Sequence, residues 1–322
     1  MNQLNINEST TVIQPRKVER SKWDLFIANV KRYKYSYMMF IPVLAFYIIF
    51  NYGPMYGAII AFKDYYPAKG IFGSEWAGFK HFIAFFTNPK TPSLIWNTLI
   101  LGLYGIVSGF FAPLIFALLI NELRNQKFKR VVQSLTYFPH FVSLVVVCGL
   151  IKTFTLSNGI IVEFMVALGG VRRNLLGDPD LFRTIYVVAN IWQGVGWGSI
   201  IYLAALAGID VQLYEACEVD GGGKFRKMWH ITLPGILPTV IVMLILKMGQ
   251  VLNVGYEKIL LLYSPMTYKT ADVISTYVYR MGVEEQNWSF STAVGLFNSV
   301  INLVFLTTAN AISRKAKGIS LW

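Results

Sequence analysis

The chain of 322 residues is 55% hydrophobic and only 14% charged, with a formal net charge of +12. That little polar material cannot cover a soluble globule of this length, so an ordinary soluble domain is excluded and an all-α polytopic membrane protein is expected. The positive charge stands in short blocks beside apolar runs, a pattern of membrane topology and contact with anionic membrane lipid, and no nucleic-acid binding is expected.

Residues 1–36 form a basic amino-terminal segment in which Trp23, Phe26, Ile27 and Val30 fall at i, i+3, i+4 and i+7, predicting a helix that lies in the cytoplasmic interface. The first apolar run begins too far into the chain for a removed signal peptide and lacks a small-residue cleavage site, so it reads as an ordinary span. Region 37–322 carries six runs long enough for a bilayer core, which needs about 20 residues: 37–56, 94–118, 135–156, 182–205, 234–255 and 291–312. Pro42, Pro54 and Pro113 interrupt the first two without adding charge. Lys and Arg number 17 in the amino-terminal segment, the second and fourth connections and the tail, against 10 in the other three connections. The positive-inside rule therefore places both termini, and the loop 213–232, in the cytoplasm.

Familiar catalytic chemistry is hard to find along the chain. Cys148 and Cys217 fall in different environments, so neither a disulfide nor a cysteine metal site is expected. His81, His140 and His230 share no ligand spacing and read as interfacial residues. Gly221-Gly-Gly-Lys224 lacks the glycine and the Ser or Thr that a phosphate loop needs at the positions of Glu218 and Phe225. Glu284 and Glu285 have no visible third partner and read as a solvated pair.

Polar side chains inside the spans are the more informative group. In the fourth span Asn190, Gln193 and Trp197 share a helical face with Trp192 nearby, an amide and aromatic platform suited to sugar hydroxyls and ring faces, while Gly194 and Gly198 suit close helix packing. In the fifth, Lys247, Gln250, Asn253 and Glu257 fall within about 120° of one helical face. A lysine at a helix centre costs roughly 2.5 to 3.5 kcal/mol on the insertion scale, so this stripe should face a solute pathway or be paired locally. Asn298 and Asn302 of the sixth span fit a pathway or an interhelical hydrogen bond equally well, and Lys152 either snorkels or meets a solute.

Between the fourth and fifth runs, residues 213–220 have helical character, three glycines follow, and Phe225 to Thr232 resumes before Pro234. This predicts two short helices joined by a turn on the cytoplasmic face, which either close a hairpin against the protein or enter a partner's groove. Glu215-Ala216, Gly221 six positions after Glu215, Ile231 and Leu233-Pro234 resemble the loop motif of permease subunits in binding-protein-dependent ABC importers. The departures are Cys217 and Gly222, where that family usually has alanine. Asn51-Tyr-Gly-Pro-Met-Tyr-Gly-Ala58, Tyr137-Phe-Pro-His140, Ile200-Ile-Tyr-Leu-Ala-Ala-Leu-Ala-Gly208 and Ser320-Leu-Trp322 look like the lipoprotein/polysaccharide branch of sugar permeases.

The resemblance implies a type I importer in the bacterial cytoplasmic (inner) membrane, with 37–322 as its permease domain and about six transmembrane helices. Its partners would be a second homologous permease subunit, two ATPase subunits that bind ATP and Mg, and an extracytoplasmic solute-binding protein; this chain would carry no cofactor. The loop 213–232 would be the coupling helix, with Glu215, Ala216, Cys217, Asp220, Gly221 and Phe225 engaging the ATPase, and the solute would be an oligosaccharide. Two rivals were weighed: an ion-driven secondary transporter, which would need intramembrane acidic residues or internal repeats, and a membrane enzyme, which would need a convergent catalytic cluster.

Overall fold

The structure, a computed structural model, describes Trp23 and residues 29–321. The expected interfacial helix rests on Phe26 and Ile27, which lie outside the described residues. The chain divides into two compact units, the first ending at Gly57 and the second running Ala58–Trp322. Helix Lys34–Tyr47 of the first unit belongs to the run Lys34–Phe62, which is long and apolar enough to cross a bilayer.

Within the second unit the helices Thr91–Asn121, Pro179–Ala207, Lys224–Met248 and Trp288–Ala316 are each long and apolar enough to cross a bilayer, or do so together with a bent continuation. A π-helical turn precedes a proline at three places: Ile48–Tyr52 before Pro54, Val107–Phe111 before Pro113 and Met228–Thr232 before Pro234. Each proline lacks the N–H that would bond the carbonyl four residues back, and that residue (Phe50, Gly109 or His230) lies within the π turn. The wider turn lets the helix continue where proline would otherwise break it.

Two expected spans need correction. The third is not one helix over 135–156: Gln126–Tyr137, a tight turn at Phe138–Phe141 and Leu144–Thr155 follow one another, with Asn125 and Ser143 capping the two longer pieces. Pro139 and the two side-chain caps stop and restart the helix. The break lies beside the middle of Pro179–Ala207, because a Cβ on Gly196 would come 2.3 Å from the Thr136 carbonyl oxygen. The fifth span ends at Met248, not 255, and 249–255 continue as irregular backbone, tolerated at membrane depth where it is buried in protein or lines a cavity.

That irregular segment presses on the second span so closely that a Cβ on Gly102 would lie 2.0 Å from the Val251 carbonyl oxygen. Gly102→Ala must therefore separate two backbones, and we expect a loss of about 3 kcal/mol, the upper end for overpacking. An unchanged Tm of the detergent-purified variant would show that the two segments do not meet.

At one end of the bundle, short helices Tyr256–Leu262, Tyr268–Ala271 and Ile274–Tyr279 form a cap over the spans. Buried Asn97 donates to the carbonyls of Lys269 and Asp272, and Arg183 donates to the Asn97 oxygen at 2.7 Å. Arg280 pairs with Asp272 at 2.6 Å. Leu101, Cys148, Phe182, Tyr186, Ile259 and Val273 fill the core that joins this cap to the spans.

Candidate functional site: a polar cavity above a helical loop

A cavity of about 490 Å³ opens among the second, fourth and fifth spans. Tyr186, Asn190, Gln193 and Trp197 face it from Pro179–Ala207, offset by 4, 3 and 4 residues and so stacked on one helical face. Lys247 comes from the last turn of the fifth span, and Gln250 and Asn253 from the irregular segment that follows it. Among the described residues no carboxylate lines the wall.

Lys258 stands at the centre of this arrangement. Its side chain is buried with the cap helix Tyr256–Leu262, and its ammonium donates to Asn190 Oδ1 and Gln193 Oε1, both at 2.7 Å. Three donors on the ammonium leave one for a solute. The Lys247 Nζ reaches across to Gly109, where a Cβ would be 3.2 Å away, and has no hydrogen-bond or ion-pair partner among the described residues. His140 is delivered by the break in the third span and stacks on Trp197 with ring centroids 4.5 Å apart and planes 4° from parallel.

Six of the residues singled out in the sequence thus meet here: Asn190, Gln193, Trp197, Lys247, Gln250 and Asn253. Four do not. Trp192 faces an apolar groove with Leu150 and Phe154 on the other side of its helix. Glu257 is exposed on the cap helix beside a smaller pocket, because the fifth span ends before it and the expected four-residue stripe is split between two elements. Asn298 and Asn302 stand behind the wall, donating to Asn253 Oδ1 at 3.3 and 3.0 Å, while Asn302 Oδ1 accepts the Leu252 N–H. This leaves the Asn253 amide N–H groups as the donors the cavity can use. Gly194 is also corrected: a Cβ there would meet nothing, so it opens the cavity, whereas Gly198 does pack, on Pro113. Lys152 is exposed and away from the wall.

Sequence reasoning missed Lys258, His140 and Tyr186. Lys258 read as one of ten charges in outer connections, and its signal was its place among Ile259, Leu260, Leu261 and Leu262, an apolar setting that a solvated lysine does not need. His140 read as interfacial, although Pro139 beside it marked a helix break, the feature that brings polar groups to mid-membrane sites.

Below the cavity, the Asp210 side chain accepts the Gln212 N–H and starts helix Val211–Val219, bent 69° from the fourth span. It carries Glu215, Ala216 and Cys217. Its end is a Schellman turn: the Gly222 N–H reaches the Cys217 carbonyl at 2.7 Å, the Gly221 N–H reaches that of Glu218 at 3.0 Å, and Gly221 has φ +73°. The second short helix expected at 225–232 is not separate; Lys224–Lys227 runs through the π turn into the fifth span, since Pro234 is accommodated rather than obeyed as a start. The Tyr214 hydroxyl and Thr232 Oγ1, 3.0 Å apart, join the two arms, as does the Lys227–Glu218 ion pair, whose hydrogen bond holds the Glu218 carboxyl below its usual range. Phe225 and Val219 project, 79% and 89% exposed.

The two departures from the loop motif are linked. A Cβ on Gly222 would lie 2.2 Å from Cys217 Sγ and 2.7 Å from its carbonyl oxygen. Gly222→Ala should lower Tm, and adding Cys217→Ala should recover part of the loss, since the worse overlap disappears and the carbonyl one stays. Strictly additive effects in that double-mutant cycle would refute the contact.

A bundle of broken and bent spans, a polar cavity at their centre and an exposed helix beneath it define a membrane transport subunit. The chain belongs to the binding-protein-dependent transport system inner membrane component family, which it matches over residues 105–318. It is 45% identical to protein LplB of Bacillus subtilis over 90% of this chain and 92% of that one. It is 42% identical to the polygalacturonan/rhamnogalacturonan transport system permease protein YteP of the same organism, over 92% and 93%. Among solved structures it is similar to a chain of a bacterial ABC transporter involved in the import of the acidic polysaccharide alginate, with a TM-score of 0.84 and 40% identity over 91% of this chain and 99% of that one. The same fold has been solved in complex with an alginate pentasaccharide-bound periplasmic protein. The chain is thus a multi-pass permease component of the ABC importer class.

Proposed function

We propose that this subunit forms half of a pathway that takes an acidic oligosaccharide into a bacterial cytoplasm. The observation that carries this is the cavity wall, which holds two lysines, amides and stacked rings and no carboxylate. Carboxylate groups of a uronic acid chain would meet Lys247 and Lys258 in a setting of low dielectric, and the ring faces would meet Trp197 and Tyr186. The substrates named for YteP and for the alginate transporter are of this acidic class and support the reading.

In this scheme an extracytoplasmic binding protein delivers the sugar, a second homologous permease supplies the facing wall, and two ATPase subunits bind ATP and Mg on the cytoplasmic side. Both termini lie in the cytoplasm of an inner-membrane protein. Closure of the ATPases would move Val211–Val219 and, through the Tyr214–Thr232 and Glu218–Lys227 contacts, the base of the fifth span, whose other end carries Lys247. Glu215, Ala216, Cys217, Asp220, Gly221 and Phe225 would form the contact surface. Ion-driven uptake has less support, because a proton- or cation-coupled pathway calls for an acidic group and none lines this wall.

The test is uptake by the complex purified with its native partners and reconstituted in liposomes, comparing oligogalacturonides with their methyl esters, which keep the rings and lose the charge. ATP-dependent uptake of the acid form alone is expected. Equal uptake of both would remove the acidic assignment, and uptake without ATP would remove the importer mechanism.

A further inference from the structure

We propose a second saccharide subsite, uncharged, at the extracytoplasmic mouth of the pathway; it rests on the reading of the central cavity as an oligosaccharide route. A separate cavity of about 360 Å³ lies between helix Ile274–Tyr279, the turn Arg280–Glu284 and the start of the last span. That volume falls at the small end of ligand sites, about 300 to 1,000 Å³. Tyr256, Tyr279 and Trp288 supply three rings, the two tyrosines with centroids 6.2 Å apart, and no charged side chain lines the wall.

Two further observations point to a hydrogen-bonding occupant. Ser275 Oγ and Asn298 Oδ1 are both buried and have no hydrogen-bond partner, and both residues line this cavity. Buried polar atoms are nearly always paired, so two unpaired oxygens on one wall mark a place where hydroxyl groups are expected. Between the rings, Gly295 leaves the helix surface open: a Cβ there would meet nothing within 4 Å. Rings to stack on, unpaired oxygens and an open floor together suit one pyranose unit held by its face and its hydroxyls.

The subsite lies next to the central cavity. The Asn298 amide that helps line it donates to Asn253, which lines the larger cavity, and Tyr256 follows Gly255 of that wall. A chain of several units can therefore place its trailing ring among Tyr256, Tyr279 and Trp288 while its leading carboxylates reach Lys258 and Lys247. The pair of sites would select for chain length: a disaccharide uses the central cavity alone, and a longer chain gains from both.

The experiment uses the whole transporter, with its partner permease, ATPases and binding protein, and a series of oligogalacturonides from two to six units. Gly295→Leu fills the outer cavity and Ser275→Ala removes one unpaired oxygen without filling it. The expected result is unchanged disaccharide uptake with both, a KM for four units and longer that rises about tenfold in Gly295→Leu and about threefold in Ser275→Ala, and no loss of Tm in Ser275→Ala. A KM that shifts equally at every length, or not at all, overturns the subsite. So does a Gly295→Leu chain that no longer co-purifies with the partner permease, because the partner then fills the cavity. Failure of the wild-type complex to take up any oligogalacturonide is a different outcome, and it overturns the reading of the central cavity itself.

Discussion

Replacing Lys258 with methionine is expected to cut kcat/KM for acidic oligosaccharides by roughly 10- to 150-fold while leaving their methyl esters little changed. The magnitude follows from a hydrogen bond to a charged group, about 1.5 to 3 kcal/mol, at about 1.4 kcal/mol for each factor of ten. Lys258 is 7% exposed, so its interaction with a carboxylate is poorly screened by salt. Methionine keeps the length and apolar stem of this buried side chain, and the orphaned Asn190 and Gln193 amides can rotate to present N–H groups. The protein should therefore fold, and the loss should be selective for charge. Uptake of the acid and ester forms falling by the same factor would show Lys258 to be a brace for the fourth span, with no role in reading the solute.

Why could a reader of the sequence find half of this site and miss the rest? Asn190, Gln193 and Trp197 lie on one unbroken helix, so helical periodicity alone places them on a common face. The Lys247 group was harder, since periodicity presumes that a helix continues, and this one ends at Met248. Gln250 and Asn253 reach the cavity by a different route, through an irregular segment that needs Gly102 on another span to make room for Val251. Such long-range contact leaves no local pattern. Lys258 and His140 are the extreme cases: both depend on the cap or the broken third span folding inward against the fourth. Hydropathy located the spans, yet it could not say which of them are interrupted, because Pro139 and Ser143 change the backbone without lowering apolarity enough to be noticed.

The loop 213–232 was legible in more detail, and for a physical reason. A short helix, a positive-φ glycine and a return are all specified by neighbouring residues, so the spacing of Glu215, Gly221 and Pro234 carried most of the geometry. What the spacing could not carry was the fusion of the second arm with the fifth span. In the proposed mechanism that fusion would make Lys224–Met248 a single lever from the loop to Lys247.

The same geometry makes Gly221→Val the sharpest test of coupling. At φ +73° a β-branched side chain is a true outlier, and the left-handed conformation costs an L-residue about 1 to 2 kcal/mol. A Cβ at this position meets nothing within 4 Å, so the penalty falls on the turn alone and the bundle should insert and keep its Tm. To escape the strain the chain must give up the Schellman bonds from Gly221 and Gly222, and Val211–Val219 then loses its fixed angle to the lever. ATP-dependent uptake should drop at least tenfold while ATP hydrolysis by the assembled complex continues without its stimulation by loaded binding protein. Gly221→Asn, which tolerates positive φ, should retain most of the uptake. A stable Gly221→Val complex that transports at the wild-type rate would mean that the angle of this helix does not transmit the ATPase stroke, and the coupling surface would have to be sought elsewhere on the cytoplasmic face.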